Sequence, residues 1–289
     1  MKLAVFGLGL IGGSMALDLK ASGFVSVVIG VDANPEHGQE ALELELIDRL
    51  ATLEFACKEA DLIILATPVS TITKLLPIVL DQIGPQTTVT DVGSTKALIA
   101  KCVENHTKKN QFVPSHPMAG TEFSGPQAAH RGLFRNKAAI ICESKTSDKN
   151  HIKRISEMYQ ALQMRVITME PENHDLHAAY VSHLSHISSF VLANTVLDKE
   201  KNEAAIFNLA SAGFESTVRL AKSSPEMWAP IFEQNNQYII EALGAYLDHL
   251  KIFHENLKKK DFEQTKKDMQ KSNDIKRVLE QIQNRKPKE

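Results

Sequence analysis

A glycine-rich turn near the N-terminus limits the folds open to this chain more than any other feature. The turn reads GLGLIGGS from residue 7, directly after the apolar run LAVF and directly before a helical pattern. Gly7, Gly9 and Gly12 fit G-x-G-x-x-G, in which the glycines allow a tight turn, close approach of a pyrophosphate and close packing of helix on strand. The N–H groups of Leu10 and Ile11 then begin a helix beside the phosphates. The glycines alone would also fit a turn that binds no ligand.

Short apolar runs alternate with helical patterns over the first 168 residues. The predicted strands are LAVFGLG, VSVVIGVD, DLIILAT, TTVTDVG, FVPSH, AAIICE and RVITM. The predicted helices run from about Gly12 to Ala21, from Pro35 onward, from Ile72 to Leu80 and from Thr95 to about Val103. Such alternation implies right-handed crossovers. We predict an α/β domain with a Rossmann-type, doubly wound and mostly parallel sheet over residues 1–168.

The pattern changes to helices after residue 168. Pro171 suits the first turn of a helix, and we find no convincing strand pattern from Asn173 to about Arg285. The segments ISSFVLANTVL and MWAPIFEQNNQYIIEALGAYL are apolar around most of the helix, and such helices need burial on several sides. We therefore predict an all-helical domain over residues 169–289 that forms a homodimer.

Charge and composition favour a small-molecule substrate. The formal net charge is -2 and the pI is about 6.6, which gives no electrostatic reason to expect nucleic acid or an anionic membrane surface as a partner. No apolar run approaches the roughly 20 residues of a membrane span. Three cysteines without C-x-x-C spacing fit a reducing compartment. The N-terminal apolar stretch lacks the cleavage site of a signal peptide. We expect a cytoplasmic protein.

Further polar residues are predicted at the carboxyl ends of the strands, where doubly wound sheets bind ligands. Asp32 follows the second strand, 20 positions after Gly12, where a carboxylate accepts hydrogen bonds from ribose hydroxyls and repels a 2'-phosphate. This favours NAD over NADP, although a solvated turn aspartate is the alternative. Thr67 and Pro68 end another strand and join the predicted cofactor site.

The segment SHPMAGTEFSG follows the predicted strand FVP and has neither a helical nor a strand period. His116 should therefore project from the same edge of the sheet, near the reactive end of the cofactor. Its ordinary pKa suits a base that accepts the proton of a hydroxyl during oxidation. Ser94, at a neighbouring strand end, is positioned to orient the ring. A structural histidine is the alternative.

Four histidines in the helical region raise the question of a metal site. His174 and His177 point roughly opposite to His183 and His186 at about 100° per residue on one helix. One helix cannot direct all four at a single ion, and no third ligand is evident for either pair. We expect no metal, and surface or core positions for most of them.

Five segments together resemble the prephenate dehydrogenase family of tyrosine biosynthesis, which includes arogenate-using members. They are GLGLIGGS, DVGSTK at 91–96, SHPMAGTE at 115–122, VSHLSH at 181–186 and GFESTVRLAKSSPEMW at 213–228. The resemblance is collinear over about residues 1–250. It implies NAD-dependent oxidative decarboxylation of prephenate to 4-hydroxyphenylpyruvate and carbon dioxide.

The resemblance also implies roles for individual residues. The histidine that matches His116 polarises the ring hydroxyl, and the serine that matches Ser94 helps to position it. Arg219 matches the arginine that binds the substrate, and a guanidinium can hold a carboxylate through two parallel bonds. His183 matches a substrate contact, and Glu122 matches a polar residue near the mouth of the pocket.

Three other functions remain open from the sequence. An arogenate dehydrogenase uses the same chemistry on a substrate with an amino side chain in place of a keto side chain. One or two residues of the pocket could distinguish these two groups. A β-hydroxyacid-type dehydrogenase would need a catalytic lysine in the helical domain, and no such motif is seen. A sensor that binds NAD without turnover would form no NADH.

Overall fold

The computed structural model describes residues 1–142 and 146–283. The chain forms two compact units, Met1–Asn236 and Gln237–Glu289. The first unit contains the whole sheet and the first helices of the region expected to be helical, so the domain boundary at residue 168 stays a prediction. The last residue of the predicted strand AAIICE and the helix end expected near residue 285 lie outside the described residues.

In the part of the chain that the structure describes, eight strands form one sheet. They are β1 (Lys2–Phe6), β2 (Val27–Val31), β3 (Arg49–Leu50), β4 (Leu62–Leu65), β5 (Thr88–Asp91), β6 (Phe112–Pro117), β7 (Ala138–Cys142) and β8 (Arg165–Met169). Their order is β3-β2-β1-β4-β5-β6-β7-β8, and every neighbouring pair is parallel except β6 with β7. The strand order reverses between β1 and β4, which confirms the predicted doubly wound, mostly parallel sheet.

Helices connect most of the strands and also follow β8. They are α1 (Leu10–Ala21), α2 (Pro35–Glu43), α3 (Leu53–Glu59), α4 (Val69–Gln82), α5 (Ala97–Lys101), α6 (Lys149–Ala161), α7 (Pro171–Ala178), α8 (Leu184–Glu200), α9 (Ala212–Val218), α10 (Pro225–Gln234), α11 (Asn236–Lys258), α12 (Phe262–Ser272) and α13 (Lys276–Gln283). A π-helical turn, Ala179–His183, joins α7 to α8. Short 3₁₀ segments lie at Lys109–Gln111, Pro126–Ala128, Ala204–Leu209, Arg219–Lys222 and Asn273–Ile275. Within residues 1–142 and 146–283, no helix has the length and apolar character needed to cross a membrane.

The two faces of the sheet carry separate hydrophobic cores because side chains alternate along each strand. In β1, Leu3 and Val5 lie in one core, which includes residues of α1 and α6, while Ala4 and Phe6 lie in the other. The second core contains apolar side chains of α4 and also Trp228 and Ile231 of α10. Helix α10 is therefore held against the same face of the sheet as α4.

Three elements were not predicted from the sequence. Strand β3 has two residues and α3 has seven, so both are too short to show a hydrophobic period. Helix α6 did carry a signal, because Asp148 caps it by accepting the N–H of Asn150 at 2.8 Å and its apolar residues recur on one buried face. With α3 before β4 and α6 before β8, the alternation of strands and helices is more regular than predicted.

Candidate active site

The glycine-rich turn has the geometry that its spacing predicts. Gly7 has φ of +95°, and a Cβ there would lie 2.6 Å from the carbonyl oxygen of Ala66, at the end of β4. A Cβ on Gly12 would lie 2.0 Å from the carbonyl oxygen of Gly7. At Gly9 the nearest atom to an added Cβ is 3.8 Å away, so the outer side of the turn is open. Two glycines are required by close packing, and the third leaves room for a ligand.

The start of α1 faces the open side of this turn. Gly9 is its N-cap and provides no side-chain hydrogen bond. Leu10 is buried and Ile11 is partly buried in the first turn, so their side chains anchor the helix while their N–H groups lie at its positive end. This arrangement suits a phosphate.

Asp32 connects the turn to the end of β2. Its carboxylate accepts the N–H of Leu8 at 2.8 Å on one oxygen and the N–H of Asn34 at 2.9 Å on the other. The residue is half-buried. Because each carboxylate oxygen can accept a second bond, both oxygens keep capacity for ribose hydroxyls.

Thr67 and Pro68 lie beside the same turn, between β4 and α4. The Oγ1 atom of Thr67 is buried and has no hydrogen-bond partner among the described residues. A buried hydroxyl without a partner is costly, so a bound polar group would stabilise it. With the open face at Gly9 and the free capacity of Asp32, these residues fit a dinucleotide.

His116 lies near the carboxyl end of β6, where it pairs with Ile140 of the antiparallel strand β7. The ring is buried, and its Nδ1 is 2.8 Å from Nε2 of His174. Burial lowers the pKa of His116 well below its usual range, and positive charge at His174, Lys96 and His183 would lower it further. The ring is therefore neutral near pH 7.

Ser94 lies in the loop after β5 and is half-buried. Within the described part of the chain it makes no hydrogen bond, and the partner that holds the His116 ring is His174. The role of Ser94 in positioning His116 or the ring hydroxyl stays a prediction. Its loop does end at a short helix, α5, that takes part in holding the ring.

His174 is itself held by Asp175. The Nδ1 atom of His174 is 2.8 Å from Oδ1 of Asp175, and both side chains are almost fully buried. The two carboxylate oxygens of Asp175 also accept the backbone N–H groups of Lys96 and Ala97, at 2.7 and 2.9 Å. A carboxylate on α7 is thereby fixed to the first residues of α5 and cannot rotate away from the histidine.

A buried ion pair joins the two ends of the loop between β5 and α5. Lys96 pairs with Asp91 at the end of β5, and neither side chain is exposed. The Lys96 ammonium also donates to the carbonyl oxygen of Ser115 at 2.8 Å, next to His116 in β6. Asp91 accepts the N–H of Gly93 at 2.9 Å. This pair links the ends of two neighbouring strands.

The π turn changes the relation between the histidines of the helical region. One extra residue in a helical turn rotates every later residue by about 100°. The angle between His174 and His183 falls from about 180° in an ideal helix to about 80°, and Asp175 and His183 come within about 20°. The expectation that the two pairs point in opposite directions was therefore wrong for His183. The π turn is the reason for the difference.

His183 is buried, and it faces the protein interior. Asn235 donates to the carbonyl oxygen of Asp175 at 2.8 Å and to Nδ1 of His183 at 3.0 Å. Burial lowers the pKa of His183 to about 4. Its ring packs edge-on against Trp228 with centroids 5.8 Å apart. The predicted substrate contact of His183 stays a prediction; in the structure its ring contacts Asn235 and Trp228.

His186 contacts the same indole and is less buried than His183. Its ring stacks on Trp228 with centroids 3.6 Å apart and is only partly buried. Burial and the nearby Arg219 guanidinium lower the pKa of His186, while its bond to the Ser182 carbonyl opposes them. Trp228 therefore contacts both a buried histidine, His183, and a half-buried histidine, His186, that lies near Arg219.

Arg219 and Glu122 form an ion pair. Nη1 of Arg219 is 3.1 Å from Oε2 of Glu122, and the arginine side chain is 49% exposed. The structure thus brings together two residues that were predicted separately, 97 positions apart in the chain. A half-exposed guanidinium keeps donors for a carboxylate that enters from solvent.

Sequence reasoning missed several residues of this site. His174 and His186 were considered only as possible metal ligands, and Asp175, Asn235 and Lys96 were given no role. A weak signal existed for Lys96, because the segment DVGSTK places an acid and a base at a predicted strand end. For Asp175 the adjacent His-Asp pair was visible, but nothing local pointed it at His116. Among the described residues, no group of three or more His, Cys, Asp or Glu side chains could hold a metal ion.

Two family models and several known proteins are similar to this chain. A family model described as "Prephenate dehydrogenase, nucleotide-binding domain" matches residues 15–168, and one described as "Prephenate dehydrogenase, dimerization domain" matches residues 170–271. The prephenate dehydrogenase of Bacillus subtilis (strain 168) is 33% identical over 244 residues, which are 83% of this chain and 66% of that protein. The aligned part is therefore about two thirds of that relative's length.

Two solved structures are also similar. Prephenate dehydrogenase from A. aeolicus, in complex with hydroxyphenyl propionate and NAD+, is 31% identical with a TM-score of 0.88, covering 96% of this chain and 98% of that one. Synechocystis arogenate dehydrogenase is 28% identical with a TM-score of 0.78, covering 96% of this chain and 100% of that one.

Proposed function

Because this chain belongs to the prephenate dehydrogenase family, we propose that it oxidises and decarboxylates prephenate to 4-hydroxyphenylpyruvate. NAD is the cofactor. The observation that carries the proposal is the buried His116 ring at the carboxyl end of β6, held by His174 and close to the strand ends that form the nucleotide site. A base in that place can act on the hydroxyl of a substrate whose ring carbon faces the nicotinamide.

His116 and Ser94 act on the ring hydroxyl of the substrate. His116 accepts a hydrogen bond from the ring hydroxyl and takes its proton as the carbon–oxygen double bond develops. Ser94, half-buried and without a hydrogen-bond partner among residues 1–142 and 146–283, can bond to the same hydroxyl. When bound, NAD supplies the acceptor for the hydride. Loss of the ring carboxylate as carbon dioxide then makes the ring aromatic.

Arg219 is the proposed binding group for a substrate carboxylate. Its guanidinium is half exposed and held by Glu122, so the arginine is oriented before the substrate arrives. His186 lies beside it on the face of Trp228; its Nδ1 donates to the Ser182 carbonyl, so Nε2 of the neutral ring is a hydrogen-bond acceptor. His183, the substrate contact expected from the sequence, would act by packing against that indole.

The experiment that tests the function is NADH formation with purified protein, NAD and either prephenate or arogenate, each at several concentrations. We expect the higher kcat/KM with prephenate. Arogenate is the second candidate, because arogenate dehydrogenase of Synechocystis is 28% identical to this chain. A higher kcat/KM with arogenate would keep the chemistry and replace the substrate. Absence of turnover with both acids, in protein that binds NAD, would reject the proposed function.

Asp32 should control the choice of cofactor. In Asp32→Ala, the bonds to the ribose hydroxyls and to the N–H groups of Leu8 and Asn34 are lost, so the Kd for NAD should rise about 10- to 100-fold. The Kd for NADP should change much less, because the charge that repels its phosphate is removed as well. Calorimetric titration of both nucleotides checks this. Glu36→Ala, an exposed carboxylate in the first turn of α2, is the control. An unchanged Kd for NAD would place the ribose elsewhere.

The pH dependence of kcat/KM should reflect a histidine that stays neutral. The active form of His116 is unprotonated, and burial lowers its pKa well below 6.5, so protonation should require a lower pH. Lys96, His174 and His183 are the cationic or titratable neighbours that favour the neutral ring, and Asp175 and Asp91 oppose them from α7 and β5. The profile at saturating NAD should be flat from pH 7.5 to 6.5. A midpoint at or above 6.5 would contradict the assignment.

We propose a homodimer formed through the helical region. Residues 170–271 match a dimerization domain, and large apolar side chains in the second half of α11 are exposed, namely Leu247, Leu250, Ile252, Phe253 and Leu257. Helices with such faces are stable when a partner covers them. Light scattering should give twice the chain mass of 32.0 kDa.

A further inference from the structure

A buried series of hydrogen bonds runs from Asp175 through His174 to His116, and we call these three residues the triad. The contacts are 2.8 Å from Asp175 to His174 and 2.8 Å from His174 to His116. All three side chains are buried. The backbone N–H groups of Lys96 and Ala97 hold the carboxylate at its far end.

The order of groups in the triad determines where the ring protons lie. An ionised carboxylate only accepts hydrogen bonds, so Nδ1 of His174 must carry a proton. In a neutral His174 ring, Nε2 is then an acceptor. Nδ1 of His116 donates to it, and Nε2 of His116 is left with a free lone pair. The remaining nitrogen of His116 is thus the one that can accept a proton.

We propose that His174 and Asp175 are positioning residues that keep His116 in the tautomer with an unprotonated Nε2 and stabilise the positive charge it gains during the reaction. The proposal rests on the proposed function for the identity of the proton donor, the substrate ring hydroxyl. It assigns His174 and Asp175 a role in the oxidation, and both act only through His116. A ring held by packing alone would leave both tautomers available.

The proton balance of the reaction explains the value of this arrangement. As the ring carbon loses a hydride to NAD, the electrons of the O–H bond form the carbon–oxygen double bond and the proton moves to Nε2 of His116. Loss of carbon dioxide returns an electron pair to the ring, the oxygen regains its lone pair, and the same proton returns to it. The base must therefore hold a proton and release it within one turnover. The Asp175 carboxylate is separated from His116 by the His174 ring. It lowers the free energy of the protonated His116 ring but does not take up the proton itself.

Two substitutions of His174 separate this role from simple packing. In His174→Gln, Oε1 can take the place of Nε2 and accept the N–H of His116, so the tautomer is kept. In His174→Phe, the shape of the ring is kept and the acceptor is lost. We expect kcat to fall by at least about tenfold in the Phe variant, since loss of a tautomer-fixing carboxylate costs up to about 10⁴-fold in serine proteases. The Gln variant should retain more activity, with KM little changed in both.

The opposite order would overturn the proposal. If packing were the whole role of His174, Phe would be the better tolerated substitution, because Gln fills the site less well. His177→Asn, at an exposed position on the same helix, is the matched control and should leave kcat unchanged. Thermal unfolding of each variant shows whether a loss of kcat accompanies a loss of folded protein.

A second measurement needs neither substrate nor turnover. In protein labelled with ¹⁵N-histidine, the nitrogen resonances of His116 can be assigned from their absence in His116→Asn. We expect Nδ1 at the frequency of a protonated ring nitrogen and Nε2 at that of an unprotonated one. The reverse assignment would overturn the proposal. Because the tautomer is read without substrate, the result holds even if both prephenate and arogenate fail as substrates.

Discussion

Replacing His116 with asparagine should lower kcat by about 10²- to 10⁴-fold, the usual contribution of a general base. The asparagine amide can occupy the position of Nδ1 and donate to His174, so the substitution removes Nε2 with little change to the buried contacts. The Kd for NAD should stay nearly constant, because no atom of His116 belongs to the glycine-rich turn or to Asp32. Steady-state kinetics and calorimetric titration of NAD measure the two quantities.

Equal losses of turnover and NAD affinity would instead make His116 a structural residue. A further variant, His116→Gln, separates proton acceptance from hydrogen bonding. Its Oε1 can accept a hydrogen bond near the position of Nε2 but cannot hold a proton at neutral pH. If accepting the proton is essential, the Gln variant should be as slow as the Asn variant. Substantial activity in the Gln variant would reduce the role of His116 to that of an acceptor.

Replacing Lys96 with methionine should lower the free energy of unfolding by about 3–5 kcal/mol, the cost of removing one partner of a buried ion pair. Lys96 and Asp91 are both fully buried, and after the substitution the partners that the Asp91 carboxylate keeps among the described residues are the backbone N–H groups of Gly93 and Ser115. Burial raises the pKa of Asp91, so the carboxyl should protonate more readily without the ammonium. The loss should therefore be largest at neutral pH and shrink as the pH falls. Urea unfolding followed by fluorescence of Trp228, the only tryptophan, measures it.

The exposed pair Lys20–Asp48 provides the control for this prediction. Both side chains are partly exposed, and Lys20→Met should cost only about 0–1 kcal/mol. Adding Asp91→Asn to Lys96→Met should recover part of the loss, because the unpaired charge is removed. Similar losses in Lys20→Met and Lys96→Met would show that burial of the second pair has no special consequence.

The fold was largely predictable because its signals are local. Strands with continuous apolar runs, helices with an apolar period and the spacing of Gly7, Gly9 and Gly12 all depend on residues within one turn or one strand. The carboxyl ends of parallel strands meet at one edge, so the order of elements was enough to place Asp32, Thr67 and His116 on the same side of the sheet. The short strand β3 and helix α3 escaped prediction because so few residues show no period.

The candidate site was only partly predictable. Glu122 and Arg219 were each named from a motif. Their ion pair joins residues 97 positions apart, and the sequence of neither segment indicates it. The position of His183 relative to His174 was judged from an ideal helix. The π turn adds one residue to a helical turn, and five residues are too few to reveal that change in a sequence pattern.

The sequence by itself determined the nucleotide-binding turn, the alternation of strands and helices and the place of His116 at the end of its strand. It could do so because a missing Cβ, a two-residue side-chain period and a helix cap act on near neighbours in the chain. Only the tertiary structure decided that His174, 58 positions away, holds the His116 ring. That contact depends on how α7 packs beside α5 and β6, and such packing is set by shape and burial over the whole domain.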